Sequence, residues 1–388
     1  MKFIKPRSVN ESNSMESIIP DSIWELNSIF QKEGHKLYVV GGAVRDFLNN
    51  EKPKDFDLAT DAEPQKVIDM LKPHFKVKDE VQGVDFAVVV VYTEDEPDGM
   101  EIATFREDVY GDKLGKTRNP DIKFTTIEKD VERRDLTFNG LFFDLEKKEI
   151  IDLVGGQKDL ENKITRFVGK PADRIIEDPL RILRLLRFTT RYNFTIEEKT
   201  ANAIKENGHT LSIITKERIW DSKNGEVVKA FKQAKDFQDY VNYVTAFALW
   251  DNILPNLEIN SELKSQINLP IVVVQLVKGN SIKSVQKNLT KSKLSTDLIN
   301  QVVFMLKLLD FNKEDILKFH SDKVRSKTAD DTIEEWIKIN GLKGDVLKFT
   351  KFVPTVSGEE VMKKFDMKPS RELGDKIKEL EVINFEAL

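Results

Sequence analysis

The sequence predicts an α+β fold: a small head with a mixed β-sheet, followed by a helical neck, body and tail. Three observations lead there. Apolar runs of strand length, broken by turn residues, fill the chain as far as FDLEKKEIID. From about residue 160 the apolar residues recur at helical spacing, as in TRFVGKPADRIIEDPLRILRLLRF and KNGEVVKAFKQA. At 388 residues the chain is also too long for one ordinary core. The expected division is a loose arm over residues 1–20, the head over 21–160, the neck over 161–230, the body over 231–320 and the tail over 321–388. No repeat of fixed period and no low-complexity linker separates these parts, so they are expected to pack continuously.

In order, residues 21–33 carry Ile23, Leu26, Ile29 and Phe30 at helical spacing and end at Gly34. An apolar strand over 37–40 runs into Gly41-Gly42, then a short amphipathic segment with Arg45 and Asp46, then a strand carrying Asp55-Phe56-Asp57. A helix is expected over 64–71, ended by Pro73. Strands follow over 75–79, over 84–92 (almost wholly apolar and so expected to be buried on both faces) and over 100–105. Residues 107–123 are polar, glycine-punctuated and aperiodic, and read as a mobile loop.

Composition excludes several classes. Forty per cent apolar and 33% charged residues fit a soluble folded protein, and a net charge of −5 is unlike a histone-like polycation. A nucleic-acid partner would have to be met by local basic patches. The absence of cysteine removes disulfides, thiolate metal sites and a cysteine nucleophile. The four histidines (His35, His74, His209, His320) are far apart and none precedes an Asp, so each reads as a surface or packing residue. The polar N-terminus has no signal-peptide run, and the longest apolar runs, FAVVVVY and LPIVVVQLV, are too short to span a membrane. A cytoplasmic protein is expected, with no membrane partner and no obligatory protein partner.

The chemistry concentrates in three places. Side chains two apart on a strand share a face, so Asp55 and Asp57 project together while Phe56 points inward. Neighbouring carboxylates resist joint ionisation unless a cation sits between them, and hard ions such as Mg²⁺ take one or two carboxylates plus substrate phosphates. Glu101, on a later strand, is within reach of the pair. A glycine turn leading into a helix suits an anion, so Gly41-Gly42 ahead of the aspartates suggests phosphoryl or nucleotidyl transfer. Taken singly, a D-x-D is most often a solvated strand end and a Gly-Gly a plain turn. Second, Arg133 and Arg134 suit phosphate oxygens and Asp135 suits ribose hydroxyls, although R-R-D alone is usually a surface ion pair.

Third, Asp178, Arg181, Arg184 and Arg187 recur every three residues. On a helix each step drifts about 60°, so the first three can face one ligand with Arg187 at its edge. Plain alternatives compete: Asp178 before Pro179 reads as an N-cap, and the arginines as a solvated face opposite Leu180, Leu183 and Leu186.

The string GGAVRDFL…DFDLATDAEP resembles motif A of the nucleotidyltransferase superfamily that includes DNA polymerase beta, in the form found in CCA-adding enzymes and bacterial poly(A) polymerases. RRDLTFN resembles the family's motif B, and EDPLR its motif D, the EDxxR of class II tRNA nucleotidyltransferases. Arg166-Phe167-Val168-Gly169 and Thr215-Lys216-Glu217-Arg218-Ile219 are similar to flanking family segments, and the likeness runs over about residues 37–220. It implies addition of C, C and A to the 3′ end of tRNA from CTP and ATP, with Asp55, Asp57 and Glu101 around two Mg²⁺ ions. Gly42, Arg45 and Arg134 would take the triphosphate and Asp135 the ribose. Asp178 and Arg181 would read the base, with Arg184 and Arg187 in support. The physical logic holds: cytosine and adenine both place an amino donor beside a ring-nitrogen acceptor, which a carboxylate and a guanidinium complement.

Residues 107–123 correspond to the family's flexible loop, full length here with Arg118 and Pro120 near its end, which favours addition of A as well as C. Lys283, Lys287, Lys291 and Lys293 suit tRNA phosphates and equally suit a solvated helix face. Val356-Ser357-Gly358-Glu359-Glu360-Val361-Met362 resembles a stretch of family tails. The sequence departs from the family at Gln82–Ala87, at Leu48-Asn49-Asn50 and at WDSKNGE after Ile219. A poly(A) polymerase or an enzyme adding only A is the nearest alternative, and a non-catalytic tRNA-binding protein the alternative of another class.

Overall fold

A computed structural model of the chain describes residues 14–78, 87–110 and 120–388. They divide into two compact units, the first ending at Ile213 and the second running over Ile214–Leu388.

The first unit is built on a seven-stranded mixed sheet. Its strands are β1 (Leu37–Val40), β2 (Asp57–Thr60), β3 (Lys76–Val77), β4 (Val88–Tyr92), β5 (Met100–Thr104), β8 (Leu141–Asp144) and β9 (Glu149–Asp152), in the order β3-β4-β5-β2-β1-β8-β9. Only β2 and β5 run parallel; the other neighbours are antiparallel. The apolar stripe of α1 (Asp21–Lys32) buries Ile23, Leu26 and Phe30, and α3 (Pro64–Leu71), opened by its proline, buries Val67, Ile68 and Leu71. On one face of the sheet, Tyr38, Val40, Ala59 and Phe142 pack with Phe105 and with Val131 of α4 (Ile127–Glu132).

The strands also correct two expectations. Along β4, buried Val89 and Val91 alternate with half-buried Val88, Val90 and Tyr92, so this strand is not buried on both faces. The ends of the expected loop are ordered: β6 (Arg106–Val109) and β7 (Asp121–Phe124) pair antiparallel. Their ladder hydrogen bonds compensate for the absence of an apolar pattern. Arg118 and residues 111–119 lie outside the described residues.

After β9, α5 (Gly156–Glu161), α6 (Pro171–Glu177), α7 (Leu180–Tyr192) and α8 (Glu198–Asn207) follow, with a short parallel pair between β10 (Ile164–Thr165) and β11 (Thr195–Ile196). The aromatic residues Phe138, Phe188, Tyr192 and Phe194 stack edge and face around α7. The second unit is helical throughout, with Phe304, Trp336, Phe349 and Phe385 fully buried in its core.

Candidate active site

The site begins where β1 ends. Gly41 turns the chain with φ +64°, a conformation that costs a residue with a Cβ, and α2 (Gly42–Leu48) starts at once. Across the antiparallel ladder Val40 pairs with Asp57, so the glycine turn lies beside the first acid of β2. The strand itself starts at Asp57, with Asp55 just ahead of it; Phe56 between them is buried, as side-chain alternation predicts. Parallel pairing of Leu58 with Ile102 sets Asp57 alongside Glu101.

Partial burial pushes the Asp57 carboxyl up to about 6, and the like charges of Asp55 and Glu101 add to it, against Arg134 and Arg45. Asp57 is nevertheless open to water at the sheet end, so the mass of protein around it, not full enclosure, desolvates it. Among the described residues no three acidic, histidine or cysteine side chains meet closely enough to hold a metal by themselves. Two oxygen donors carrying uncompensated charge still fit a hard cation that completes its shell with phosphate and water.

Facing this pair is a cluster in which every charge has a partner. Asp130 on α4 is 1% exposed and takes Arg133 (Nη2 to Oδ1, 2.6 Å) and Arg134 (Nη2 to Oδ2, 3.0 Å), spaced three and four residues away. Burial would raise its carboxyl, but Arg134 and Arg133, with hydrogen bonds from the Arg106 amide and Arg133, together hold the group below the ordinary carboxylate range. Arg134 also lies over the Phe142 ring at 4.6 Å. Asp135 is partly buried, yet Arg184 and a set of hydrogen bonds hold it well below that range. Those contacts are Arg184 Nε (2.8 Å), Asn139 Nδ2 (3.0 Å) and the Leu136 amide (2.8 Å).

Asp178 is not on the arginine helix. Pro179 disfavours helical backbone at the residue before it, and Asp178 is extended (φ −147°, ψ 96°) between α6 and α7. Its Oδ1 accepts from the Leu180 amide at 3.2 Å, the capping role. The arginines are no solvated face either: Arg181 is 8% and Arg187 5% exposed. Arg181 gives Nη1 to Glu177 (2.5 Å) and Nη2 to the Arg133 carbonyl (2.8 Å). Glu177 and Arg174 also pair, and Arg174 donates to the Glu132 carbonyl. Burial, offset in part by Arg181, pushes the nearby Tyr110 hydroxyl up to about 12. Arg187 lies 4.2 Å over the Phe188 ring.

Arg45 is 6% exposed, stacked over Phe188 and Tyr192 and bonded to Asp46 and Asn139, so its guanidinium is engaged within the head. Its neighbour Gly42 opens α2 with that guanidinium close by. In the second unit, Lys283, Lys287 and Lys291 lie exposed on the helix Ile282–Lys291, whose other side buries Val285, Asn288 and Leu289. Lys293 follows it, exposed and 3.8 Å from Glu217. Sequence reasoning missed Asp130, Arg174, Tyr110 and the part played by Glu177. Asp130 alone left a signal, its helical spacing to Arg133 and Arg134.

Comparison with known proteins finds the same likeness. Residues 37–166 match the Poly A polymerase head domain, and residues 193–259 match the probable RNA and SrmB-binding site of polymerase A. The CCA-adding enzyme of Bacillus cytotoxicus is 38% identical over 190 residues, 49% of this chain and 45% of that protein. The chain is similar to CCA-adding nucleotidyltransferases. It spans about half the length of the curated relatives it matches at this identity. The CCA-adding enzyme of Lactococcus lactis subsp. cremoris aligns over 394 residues at 28% identity, 94% of this chain and 92% of that one. A crystal structure of the Bacillus stearothermophilus CCA-adding enzyme in complex with CTP shares the fold, with TM-score 0.70 and 21% identity over 94% of this chain and 93% of that one. Divalent-metal use is implied for nucleotidyltransferases of this family. Among the described residues no helix is long and apolar enough to cross a membrane.

Proposed function

We propose that this chain adds C, C and A to the 3′ end of tRNA from CTP and ATP with no nucleic-acid template. One observation carries the reading: an uncompensated acid pair stands beside a glycine turn, opposite an arginine–carboxylate cluster that includes the EDxxR segment. Asp55 and Asp57, with Glu101 alongside, would hold two Mg²⁺ ions. When bound, such ions lower the pKa of the attacking hydroxyl and neutralise charge on the phosphates.

The chain's own groups do the rest. Gly42, Arg45 and Arg134 cradle the triphosphate, and Asp135, kept ionised by Arg184, accepts from the ribose. Asp178 and Arg181 face the shared edge of cytosine and adenine, with Arg184 and Arg187 behind them and Arg118 on the adjoining loop. To do so, Arg181 exchanges its Glu177 contact for the base. Residues 161–230 act as the selecting neck. Residues 231–320 form the body and 321–388 the tail, with Lys283, Lys287, Lys291 and Lys293 against tRNA phosphate and the tail also touching tRNA. The reaction takes place in the cytoplasm.

The test is to incubate the protein with tRNA ending at the discriminator base, Mg²⁺ and each labelled nucleotide. Two C and one A are expected, with UTP and GTP refused. Long A tails would favour a poly(A) polymerase, addition of A alone an A-adding enzyme, and tRNA binding without incorporation a non-catalytic binder. In Arg181→Ala, discrimination against UTP and GTP should relax; unchanged selectivity removes the templating role.

A further inference from the structure

Asn139 belongs to none of the ligand sets above, yet it stands where their supports meet. It ends a short 3₁₀ turn, Thr137–Asn139, and is 9% exposed. Its Oδ1 accepts from Arg45 Nη1 at 2.7 Å and its Nδ2 donates to Asp135 Oδ1 at 3.0 Å. A guanidinium only donates and a carboxylate only accepts, so the two charges dictate which way the amide faces.

Followed outward, the bonds form a circuit. Arg45 gives Nε and Nη2 to Asp46 Oδ1, at 2.8 and 2.7 Å, and that oxygen also accepts the Tyr192 hydroxyl at 2.8 Å. At the other end Asp135 Oδ2 receives Arg184 Nε at 2.8 Å and Nη2 at 2.7 Å. Tyr192 and Arg184 both belong to α7, about two helical turns apart, so the circuit leaves that helix and returns to it. Two anchors at that spacing fix a helix both along its axis and in rotation.

The turn carrying Asn139 is itself braced. A Cβ on Gly156 would lie 2.3 Å from the Thr137 carbonyl oxygen, and Thr137 Oγ1 donates to buried Asp159 at 2.5 Å. An amide suits the junction because it can serve a cation and an anion at once. A carboxylate would repel Asp135, and an apolar side chain would take one hydrogen-bond partner from each charge and cut the link between them.

We propose that Asn139 is a positioning residue that keeps α7 in register with α2, so that base-reading arginines and phosphate turn address the same nucleotide. This deepens the functional reading and rests on it. The test uses the full chain with Asn139→Asp, which keeps the acceptor for Arg45 and reverses the contact to Asp135, and Tyr192→Phe, which removes one hydroxyl. With the melting temperature near that of the parent, Asn139→Asp should raise KM for CTP and ATP and lower kcat/KM by about 10²-fold. Discrimination against UTP should fall, and Tyr192→Phe should show a smaller change in the same direction. A role in packing alone would lower the melting temperature and the active fraction while leaving KM and discrimination intact, and that result overturns the assignment.

Hydrogen exchange gives a readout without substrate. Amides over 181–187 should exchange faster in Asn139→Asp while those of β4 and β5 stay unchanged. If the parent protein adds neither C nor A, the functional reading fails alone and this exchange still decides the role of Asn139. Should Asn139→Asp not fold, Tyr192→Phe carries the same measurement; unchanged exchange over 181–187 overturns the proposal in either variant.

Discussion

Asp57 and Asp130 are both carboxylates of the head, and their surroundings drive them in opposite directions. Around Asp57, burial and then the like charges of Asp55 and Glu101 raise the carboxyl. Around Asp130, burial is outweighed by two arginines together with hydrogen bonds from the Arg106 amide and Arg133, and the carboxyl is lowered. The difference teaches how to sort charge in this molecule. Carboxylates left to repel one another must take their counter-ion from solution, which marks a place for a ligand. Carboxylates matched by arginines inside the fold hold geometry and lend their neighbours a fixed orientation.

The comparison can be broken most sharply at the acid pair. Asp55→Asn or Asp57→Asn should cut nucleotide incorporation by about 10³-fold, the worth of several kcal/mol of charge stabilisation. The melting temperature should hold or rise, because repulsion is relieved; turnover at the normal rate would exclude a cation site there. Asp130→Asn should do the reverse. It leaves Arg133 and Arg134 without their common partner and should cost about 3–5 kcal/mol of stability in urea unfolding. An unchanged midpoint would show that those arginines find equal partners elsewhere.

Acid titration sharpens the contrast. Asp130 and Asp135 sit below the ordinary carboxylate range in the folded state, so in acid the unfolded chain binds protons that the native chain does not. Their contribution is complete above that range and is lost as pH falls through it toward the folded values. Asp130→Asn should flatten this acid limb of stability, measured by chemical denaturation across pH. The smallest effect belongs to the exposed lysines. Substituting Lys283, Lys287 and Lys291 by Ala should leave stability within about 0.5 kcal/mol. The salt dependence of tRNA affinity should flatten by about one in log–log slope for each phosphate no longer neutralised. An unchanged slope would return these lysines to a plain solvated face.

Much of this was legible beforehand. The stripe of Ile23, Leu26 and Phe30 located α1, and Pro64 located the start of α3, because each element carries its own local signal. The acid pair and the RRD and EDxxR segments were visible as residue types at fixed spacing. What stayed hidden depends on partners remote in sequence or on backbone detail. The pairing of β6 with β7 joins two polar segments through backbone bonds that leave no apolar pattern. The turning of Arg181 toward Glu177 is decided by what else surrounds the guanidinium, here the Arg133 carbonyl. Asp178 was readable as a cap, because Pro179 after it foretold both the break and the cap. Asn139 was visible only as the end of RRDLTFN, because the bond that gives it a role runs to Arg45, 94 residues earlier.

The lone parallel pairing in the seven-stranded sheet, β2 with β5, has a kinetic consequence. Strands that run the same way need a long crossover, and closing that loop costs entropy before any contact offsets it. Asp57 and Glu101 therefore come side by side only when the central strands have docked, and a nascent chain keeps these two carboxylates apart until β5 has been made and has paired with β2.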